Sequence, residues 1–251
     1  MKVILCFILL LPAAARAGTP KYSAVDGALA VPISEDNAYF RNPANPAYDY
    51  WNLSGYYVPQ ATGSSCSAAA VSMALNALLS ARRQRGDEEE NIAEGKLTEK
   101  VTGVPWQALV STEGADGRHG LTLAQLAAVS KEALAAYGAL EPSVSSVTAA
   151  SQSAQALESF RKALAENERN PLNIMLLHFT QDTLTGAPGG PYAHISPVGA
   201  YDEKTRQVLI FDVDRQWYEP YWAADIQVLK AMAVKTKAFG VGGYVLLNAV
   251  K

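Results

Sequence analysis

Apolar residues in the first two thirds of the chain recur mainly at helical spacing. After Cys66 they stand at Ala68, Val71, Leu75, Leu78 and Leu79. This spacing predicts a helix from Cys66 to about residue 80, with the polar residues from Ser64 to Ser67 as candidate N-terminal caps. Comparable patterns predict a helix that begins near Thr122, after the turn DGRHG, and another over residues 153–168.

After Asn170 the pattern changes to short apolar runs bounded by turn residues. These runs cover residues 173–179, 193–201, 207–213 and 241–250. Their length and their turn-forming flanks predict buried antiparallel strands. Helices followed by strands predict an α+β fold.

Three polar or proline-rich stretches are predicted to lack regular structure. Residues 18–58 are rich in Pro, Asn and aromatic residues, which indicates an extended, loop-rich lead-in. The segment RRQRGDEEEN (82–91) is interpreted as a solvated surface segment, and PSVSSVTAASQSAQ as a connector.

The N-terminal residues 1–17, MKVILCFILLLPAAARA, predict a secretory signal peptide. They combine a basic start, an apolar run and a small-x-small end at Ala15–Ala17. The apolar run is short for a membrane span, so a single anchor is the less favoured alternative. With 251 residues, 49% of them hydrophobic, we expect a single catalytic domain over 18–251. We expect this domain to be exported, either to the periplasm or out of the cell.

The charge of the chain argues against nucleic acid as a partner. Loss of Lys2 and Arg16 with the signal peptide leaves 19 basic against 24 acidic side chains, a formal charge of −5. No stripe of Lys and Arg is present to bind phosphates. We also expect no stable membrane insertion, and the sequence leaves the oligomeric state open, a homodimer included.

Cysteine usage narrows the interpretation of Cys66. The other cysteine, Cys6, lies in the predicted signal peptide, so the mature chain has no partner for a disulfide. The remaining roles for Cys66 are a core residue, a zinc ligand or a nucleophile. A zinc site would need Cys66 with the three histidines, which lack close ligand spacing such as CxxC or HxxxH. A thiol at the start of a helix faces the positive end of the dipole, which favours thiolate.

A predicted hairpin, AHISPVGAY-DEKTR-QVLIFDVD, brings a carboxylate close to His194. A five-residue turn would place His194 opposite Asp214, and a three-residue turn would place it opposite Asp212. The two aspartates share one strand face, and opposite Cβ atoms lie about 4.5–5.5 Å apart. Either register supplies an acidic partner, and spacing alone does not choose. His178 is interpreted as a core residue and His119 as a loop residue.

These features together match the layout of a papain-like cysteine enzyme. Such enzymes place a thiolate at a helix start and a His–carboxylate pair on a facing sheet, in the chain order Cys, His, Asp or Asn. Gln60, six residues before Cys66, is placed to donate a side-chain N–H to an oxyanion hole together with the Cys66 backbone N–H. The predicted architecture is therefore a helical part bearing the nucleophile, packed on an antiparallel sheet bearing His194 and its partner.

The segments QATGSSCSAAAVSMALNAL, GLTLAQL and HISPVGAYDEKTRQVLIFDVDRQWYEPYW resemble the catalytic domain of phytochelatin synthase, from about residue 36 to the end. The resemblance implies Cys66, His194 and Asp212 as the triad and Gln60 as the oxyanion-hole residue. It implies Arg215 and Tyr218 close to the bound peptide, with Ser65 and Ser67 as further substrate-binding candidates.

The resemblance also implies an activity, glutathione γ-glutamylcysteinyl transfer in metal detoxification. The substrate would be glutathione, with no protein-bound cofactor. Metal ions such as cadmium would act through metal–glutathione complexes of the substrate.

Departures from the family pattern favour hydrolysis over synthesis. The chain has Ser65-Cys66-Ser67 for the usual Tyr-Cys-Gly, Asp214 in its DVDR element, and Glu219 in place of a Pro in the following motif. We expect the two added carboxylates to weaken attraction for a second, anionic glutathione. The alternatives are a papain-like peptidase or amidase on other γ-glutamyl or wall-derived peptides, an exported thiol- or metal-binding protein without turnover, and an inactive interaction module.

Overall fold

The computed structural model describes residues 19–82, 84, 86, 91–115, 117–139, 141–237 and 239–249. The predicted signal peptide and most of the 82–91 segment lie outside these residues. The helices are α1 (Ala38–Arg41), α2 (Tyr48–Ser54), α3 (Cys66–Leu79), α4 (Glu94–Lys100), α5 (Trp106–Leu109), α6 (Leu123–Ala136), α7 (Ala154–Glu168), α8 (Asp182–Thr185) and α9 (Asp225–Ala233). The strands are β1 (Val31–Pro32), β2 (Pro142–Thr148), β3 (Asn173–Thr180), β4 (Ala193–Asp202), β5 (Gln207–Ile210), β6 (Tyr221–Ala224) and β7 (Gly243–Ala249).

Within the described residues, seven strands form one sheet in the order β1-β6-β5-β4-β3-β7-β2. All of its pairings are antiparallel. Helices and an antiparallel sheet confirm the predicted α+β class.

The sheet carries a separate hydrophobic core on each face, because side chains alternate along its strands. In β3, Ile174 and Leu176 belong to the core shared with α3 and α6. Met175 and Leu177 belong to the core shared with α7 and α9. All eight residues of β3 are buried, which explains why this strand has a continuous apolar sequence.

Helix α3 lies between the sheet and the shorter helices, and it is buried almost all round. Its alanines, among them Ala69 and Ala70, are fully buried and let the backbone approach β4 closely. The predicted capping is corrected: Ser65 is the N-cap, but its side chain makes no bond to the helix. The Ser65 Oγ instead accepts the Thr62 backbone N–H at 3.0 Å. No N-cap side chain therefore occupies the N–H groups of the first turn.

Helix α6 begins as its sequence predicts. Thr122 is its N-cap, and the Thr122 hydroxyl accepts the Gln125 backbone N–H at 3.3 Å. The Gln125 side chain accepts the Thr122 backbone N–H in return, at 3.1 Å. This reciprocal pair satisfies two backbone donors at the helix start.

Two stretches predicted as irregular contain regular structure. The segment interpreted as a connector contains β2, a largely exposed edge strand paired along its length with β7. The strand has the Ser- and Thr-rich composition of a linker because most of its side chains face solvent. The lead-in over 18–58 contains α1, α2 and β1.

At its turn the β4–β5 hairpin has neither of the two registers predicted from sequence, but beyond a bulge Val198 pairs with Ile210, as the five-residue turn predicts. Asp202 pairs with Gln207, and Tyr201 pairs with Val208 rather than Gln207, so four residues form the turn. A register shift lies between Val198 and Ala200, at Gly199. A Cβ on Gly199 would lie 2.2 Å from the Phe211 ring, so the bulge requires glycine. Strand β5 ends at Ile210, and Asp212 lies in the segment beyond it.

Candidate active site

The side chains of Cys66, His194 and Asp212 come from the termini of three different elements. Cys66 is the first residue of α3, His194 is the second residue of β4, and Asp212 follows β5. The His194 Nε2 lies 2.8 Å from the Asp212 Oδ1. The other ring nitrogen, Nδ1, is then not used by Asp212, and the His194 and Cys66 side chains line the same cavity. The structure therefore makes Asp212, and not Asp214, the partner of His194.

Asp212 is fully buried and surrounded by hydrogen-bond donors. Its Oδ2 accepts the Gln181 Nε2–H and the Tyr221 hydroxyl, both at 3.0 Å, and its Oδ1 accepts the Asp214 backbone N–H at 2.9 Å. Burial alone would raise the pKa of Asp212. The charge and hydrogen bond of His194, with those donors, hold that pKa below its usual value. Asp212 is therefore an anion at neutral pH.

His194 is held as an imidazolium by the same contacts. Burial alone would lower the pKa of His194, but the charge of Asp212 and its hydrogen bond raise that pKa well above the usual value. The Phe179 ring packs edge-on against the imidazole, with ring centroids 5.6 Å apart, and restrains its orientation. The pair can therefore supply a proton at the position of Cys66.

A cavity of about 300 Å³ opens at the Cys66 and His194 side chains. Loops before α3 and α6 and the ends of β3 and β4 form its wall, which includes Gln60, Gly63, Ser64, His119, Gly120, Leu121, His178, Ile195 and Phe239. The Gln60 backbone N–H donates to the Val213 carbonyl at 2.9 Å and ties this loop to the Asp212 segment. The Gln60 side-chain oxygen, Oε1, is buried and accepts no hydrogen bond from the described residues.

The family model of phytochelatin synthase matches residues 34–242 of this chain, a range that contains Cys66, His194, Asp212 and Gln60. The chain belongs to the phytochelatin synthase family. Membership implies glutathione γ-glutamylcysteinyl transfer as the activity and glutathione as the substrate. A comparison with individual curated proteins gives no match.

A second cavity, of about 440 Å³, adjoins the first on the side that faces Tyr218. Gln181, Tyr192 and Asp214 line both cavities. Tyr218, which the resemblance places close to the peptide of a phytochelatin synthase, lies on the wall of this second cavity, and its hydroxyl donates to the Thr185 Oγ1 at 3.3 Å. Burial raises the pKa of Asp214 above its usual value, and the charge of Asp212 adds to that shift.

Arg215 and Glu219 do not reach either cavity wall. The Arg215 guanidinium lies 4.3 Å from the centroid of the Tyr57 ring and donates to the Tyr57 carbonyl at 3.2 Å. The Glu219 carboxylate accepts the Ser34 hydroxyl at 2.5 Å. Of the two carboxylates that distinguish this chain from the family pattern, only Asp214 borders the site.

Ser65 and Ser67 likewise turn away from the cavities. The Ser65 side chain is used in the turn with Thr62 before α3. The Ser67 hydroxyl is fully buried and accepts the Trp106 Nε1–H at 2.9 Å. Ser64, which was not predicted as a site residue, lies on the wall beside Cys66 instead.

Gln181 and Tyr221 are candidate site residues that the sequence did not indicate, and both donate hydrogen bonds to Asp212. Gln181 follows β3, and Tyr221 begins β6, a strand that was not predicted. Their hydrogen bonds to Asp212 depend on the folded sheet, so no spacing in the sequence identifies them. The position of Tyr221 within the WYEPYW motif is the only available signal.

The histidines do not form a metal site with Cys66. Among the described residues, no three His, Cys, Asp or Glu side chains are grouped so as to hold a metal ion. His178 is buried, and its Nε2–H donates to the Leu121 carbonyl at 3.0 Å, in agreement with the core role expected for it.

Among the residues that the structure describes, no helix has the length and apolar character to cross a membrane.

Proposed function

We propose that this protein is an exported cysteine enzyme with a papain-like fold that cleaves the Cys–Gly bond of glutathione. Cys66 carries the γ-Glu-Cys acyl group, which passes mainly to water and to a smaller extent to a second glutathione. The observation that supports this proposal is the hydrogen-bonded pair His194–Asp212 beside Cys66, at a cavity inside the region matched by the family.

The first half-reaction forms the acyl-enzyme. The Cys66 thiolate attacks the carbonyl carbon of the Cys–Gly bond, so that a C–S bond forms and the carbonyl oxygen becomes an oxyanion. The Cys66 backbone N–H, at the start of α3, and the Gln60 side-chain N–H stabilise this oxyanion. The His194 imidazolium then gives its proton to the glycine nitrogen, the C–N bond breaks and glycine departs.

The second half-reaction regenerates the thiolate. Neutral His194 takes a proton from a water molecule, whose oxygen attacks the thioester carbon. The C–S bond breaks, γ-Glu-Cys leaves, and the thiolate–imidazolium pair is restored. Water is favoured because the Asp214 carboxylate, between the two cavities, repels the carboxylates of a second glutathione. Cadmium would enter with the substrate, as its glutathione thiolate complex.

The direct test is to incubate the purified protein with glutathione, with and without cadmium, and to identify products by mass spectrometry. We expect glycine and γ-Glu-Cys as main products and (γ-Glu-Cys)₂-Gly as a minor one. Unchanged glutathione with rapid alkylation of Cys66 would leave the peptidase or amidase alternative. Unchanged glutathione with an unreactive Cys66 would leave the binding-protein alternative. The intact mass of the protein from producing cells tests export, through loss of residues 1–17.

Gln60→Ala is expected to lower kcat for glycine release by about 10²–10³-fold with little change in KM, because the lost donor acts on the oxyanion and not on bound glutathione. Steady-state kinetics measure this split. Gln155→Ala, at an exposed position of α7, is the matched control and should leave both constants unchanged. A loss below about threefold in kcat would remove Gln60 from the oxyanion hole.

A further inference from the structure

The segment Thr19–Ser23 borders the site although it precedes the region matched by the family. Its residues Thr19, Pro20 and Lys21 line the second cavity. The Ser23 backbone N–H donates to the Thr185 carbonyl at 2.8 Å and holds the segment against the last residue of α8. Part of the wall of the second cavity is therefore formed by residues outside the matched range.

Tyr22 packs this segment against two tyrosines, of which Tyr221 donates a hydrogen bond to Asp212. Its ring packs edge-on against Tyr218 and Tyr221, with centroid separations of 5.4 and 5.6 Å. Gly186 allows the close approach, because a Cβ at that position would lie 2.6 Å from the Ser23 carbonyl oxygen. Lys21, whose side chain is exposed, is consequently next to a residue that is packed against the fold.

Two charged side chains of opposite sign line the second cavity. Among the described residues that line it, Lys21 is the cation and Asp214 is the anion, and Asp214 also borders the cavity of Cys66. The remaining wall is aromatic or apolar for the most part, formed by Pro20, Ala187, Pro188, Tyr192, Trp217 and Tyr218. An α-amino acid head group, with an ammonium and a carboxylate on one carbon, complements these two charges.

We propose that the second cavity binds the γ-glutamyl head of an acceptor peptide, with Lys21 recognising its α-carboxylate and Asp214 its α-ammonium group. The inference rests on the proposed function, because the acceptor needs an acyl group on Cys66. Asp214 repels carboxylates but attracts the ammonium end, so Lys21 decides whether an anionic acceptor is retained. Lys21 is then a specificity-determining residue supplied from outside the family-matched region.

The transfer step uses groups already in the site. The acceptor ammonium loses one proton to water, and the free amine attacks the thioester carbon of acyl-Cys66. A C–N bond forms and the C–S bond breaks. Neutral His194 takes the second proton of the nitrogen, so the product amide leaves and the thiolate–imidazolium pair is restored.

The test compares Lys21→Gln, Lys21→Glu and Lys21→Arg with the unaltered protein over a range of glutathione concentrations. The ratio of (γ-Glu-Cys)₂-Gly to γ-Glu-Cys rises with acceptor occupancy. We expect Lys21→Gln to raise the half-saturating glutathione concentration for this ratio about fivefold, as for loss of one partly exposed ion pair. Lys21→Glu should raise it further, and Lys21→Arg should restore it. Lys131→Gln, at an exposed position of α6, is the matched control.

Intact-mass detection of the acyl group on Cys66 separates failure of this inference from failure of the proposed function. If acyl-Cys66 forms but the product ratio is the same in all Lys21 variants, or no transfer product forms, the inference is overturned and hydrolysis stands. If acyl-Cys66 never forms, the proposed function fails. Binding of S-methylglutathione to Cys66→Ala protein then still tests Lys21: equal affinity with and without Lys21→Gln overturns the inference, and weaker binding in the variant supports it.

Discussion

Replacing Cys66 with serine is expected to lower the rate of glycine release from glutathione by at least about 10³-fold. The hydroxyl of serine does not form an anion beside the His194 imidazolium as a thiol does, so the variant lacks the nucleophile of the first half-reaction. Serine nearly fills the volume of the thiol, which is mostly buried at the start of α3. The fold should therefore remain intact.

Amino-acid analysis of released glycine and intact-mass detection of the acyl-enzyme measure this effect. The melting temperature and the circular dichroism spectrum report whether Cys66→Ser is folded. Ala61→Ser, in the loop that precedes α3, is a matched control that adds a hydroxyl near the site without altering the thiol. Glycine release by Cys66→Ser at a rate near that of the unaltered protein would show that Cys66 is only a core residue.

The sequence predicts most of this fold where local pattern and tertiary packing agree. Helix α6 is marked by the Thr122–Gln125 capping box, and the strands β3, β4 and β7 are marked by apolar runs. Strand β2 was missed because an edge strand of Ser, Thr and Val buries too little surface to show a core pattern.

Residue counting along the chain did not identify the histidine partner, which the family resemblance alone implied. A one-residue bulge at Gly199 changes the register between β4 and β5, and β5 ends before Asp212. Counting across the hairpin left two aspartates as candidates, because the sequence does not give the length of the turn or the position of the bulge. The hydrogen bond from His194 to Asp212, and the Asp214 backbone N–H on the same carboxylate, distinguish them.

The wall of the second cavity was also beyond sequence reasoning. Residues 18–58 were expected to be a loop-rich lead-in, a description that gives no reason to connect Lys21 with Tyr218. The connection arises because Tyr22 packs against both Tyr218 and Tyr221, which lie about 200 positions further along the chain. Arg215, in contrast, was placed close to the peptide by resemblance but is used against Tyr57.

Asp212→Asn is expected to lower kcat by about 10²–10⁴-fold and to shift the pH dependence of the reaction toward lower pH. In the unaltered protein, burial would lower the pKa of His194, and the charge of Asp212 reverses that effect. Asparagine removes the charge and leaves the burial, so the pKa of His194 should fall. Any step that needs the imidazolium proceeds fully below this pKa and is lost as pH rises through it. A lower pKa therefore moves the loss of activity to lower pH.

The same substitution should change stability in the corresponding direction. A histidine whose pKa is raised on folding contributes stability that is present below its unfolded value, about 6.5, and lost as pH rises through the folded value. An aspartate whose pKa is lowered contributes stability above its unfolded value, which is lost as pH falls through the folded one. Asp212→Asn removes both contributions, so the melting temperature should fall most near pH 5–6, where both are present.

Alkylation of Cys66 by iodoacetamide, followed against pH, measures the ion pair without any assumption about the substrate. We expect the unaltered protein to alkylate rapidly at pH 6 and Asp212→Asn to alkylate more slowly there, because less imidazolium is present to stabilise the thiolate. Tyr221→Phe is the matched control, since it removes one donor to the Asp212 Oδ2 but retains the carboxylate. Its kcat should fall by about tenfold or less, with little displacement of the pH profile. An equal displacement in both variants would assign the effect to disturbed packing, whereas a displacement confined to Asp212→Asn requires that the charge of Asp212 sets the protonation of His194.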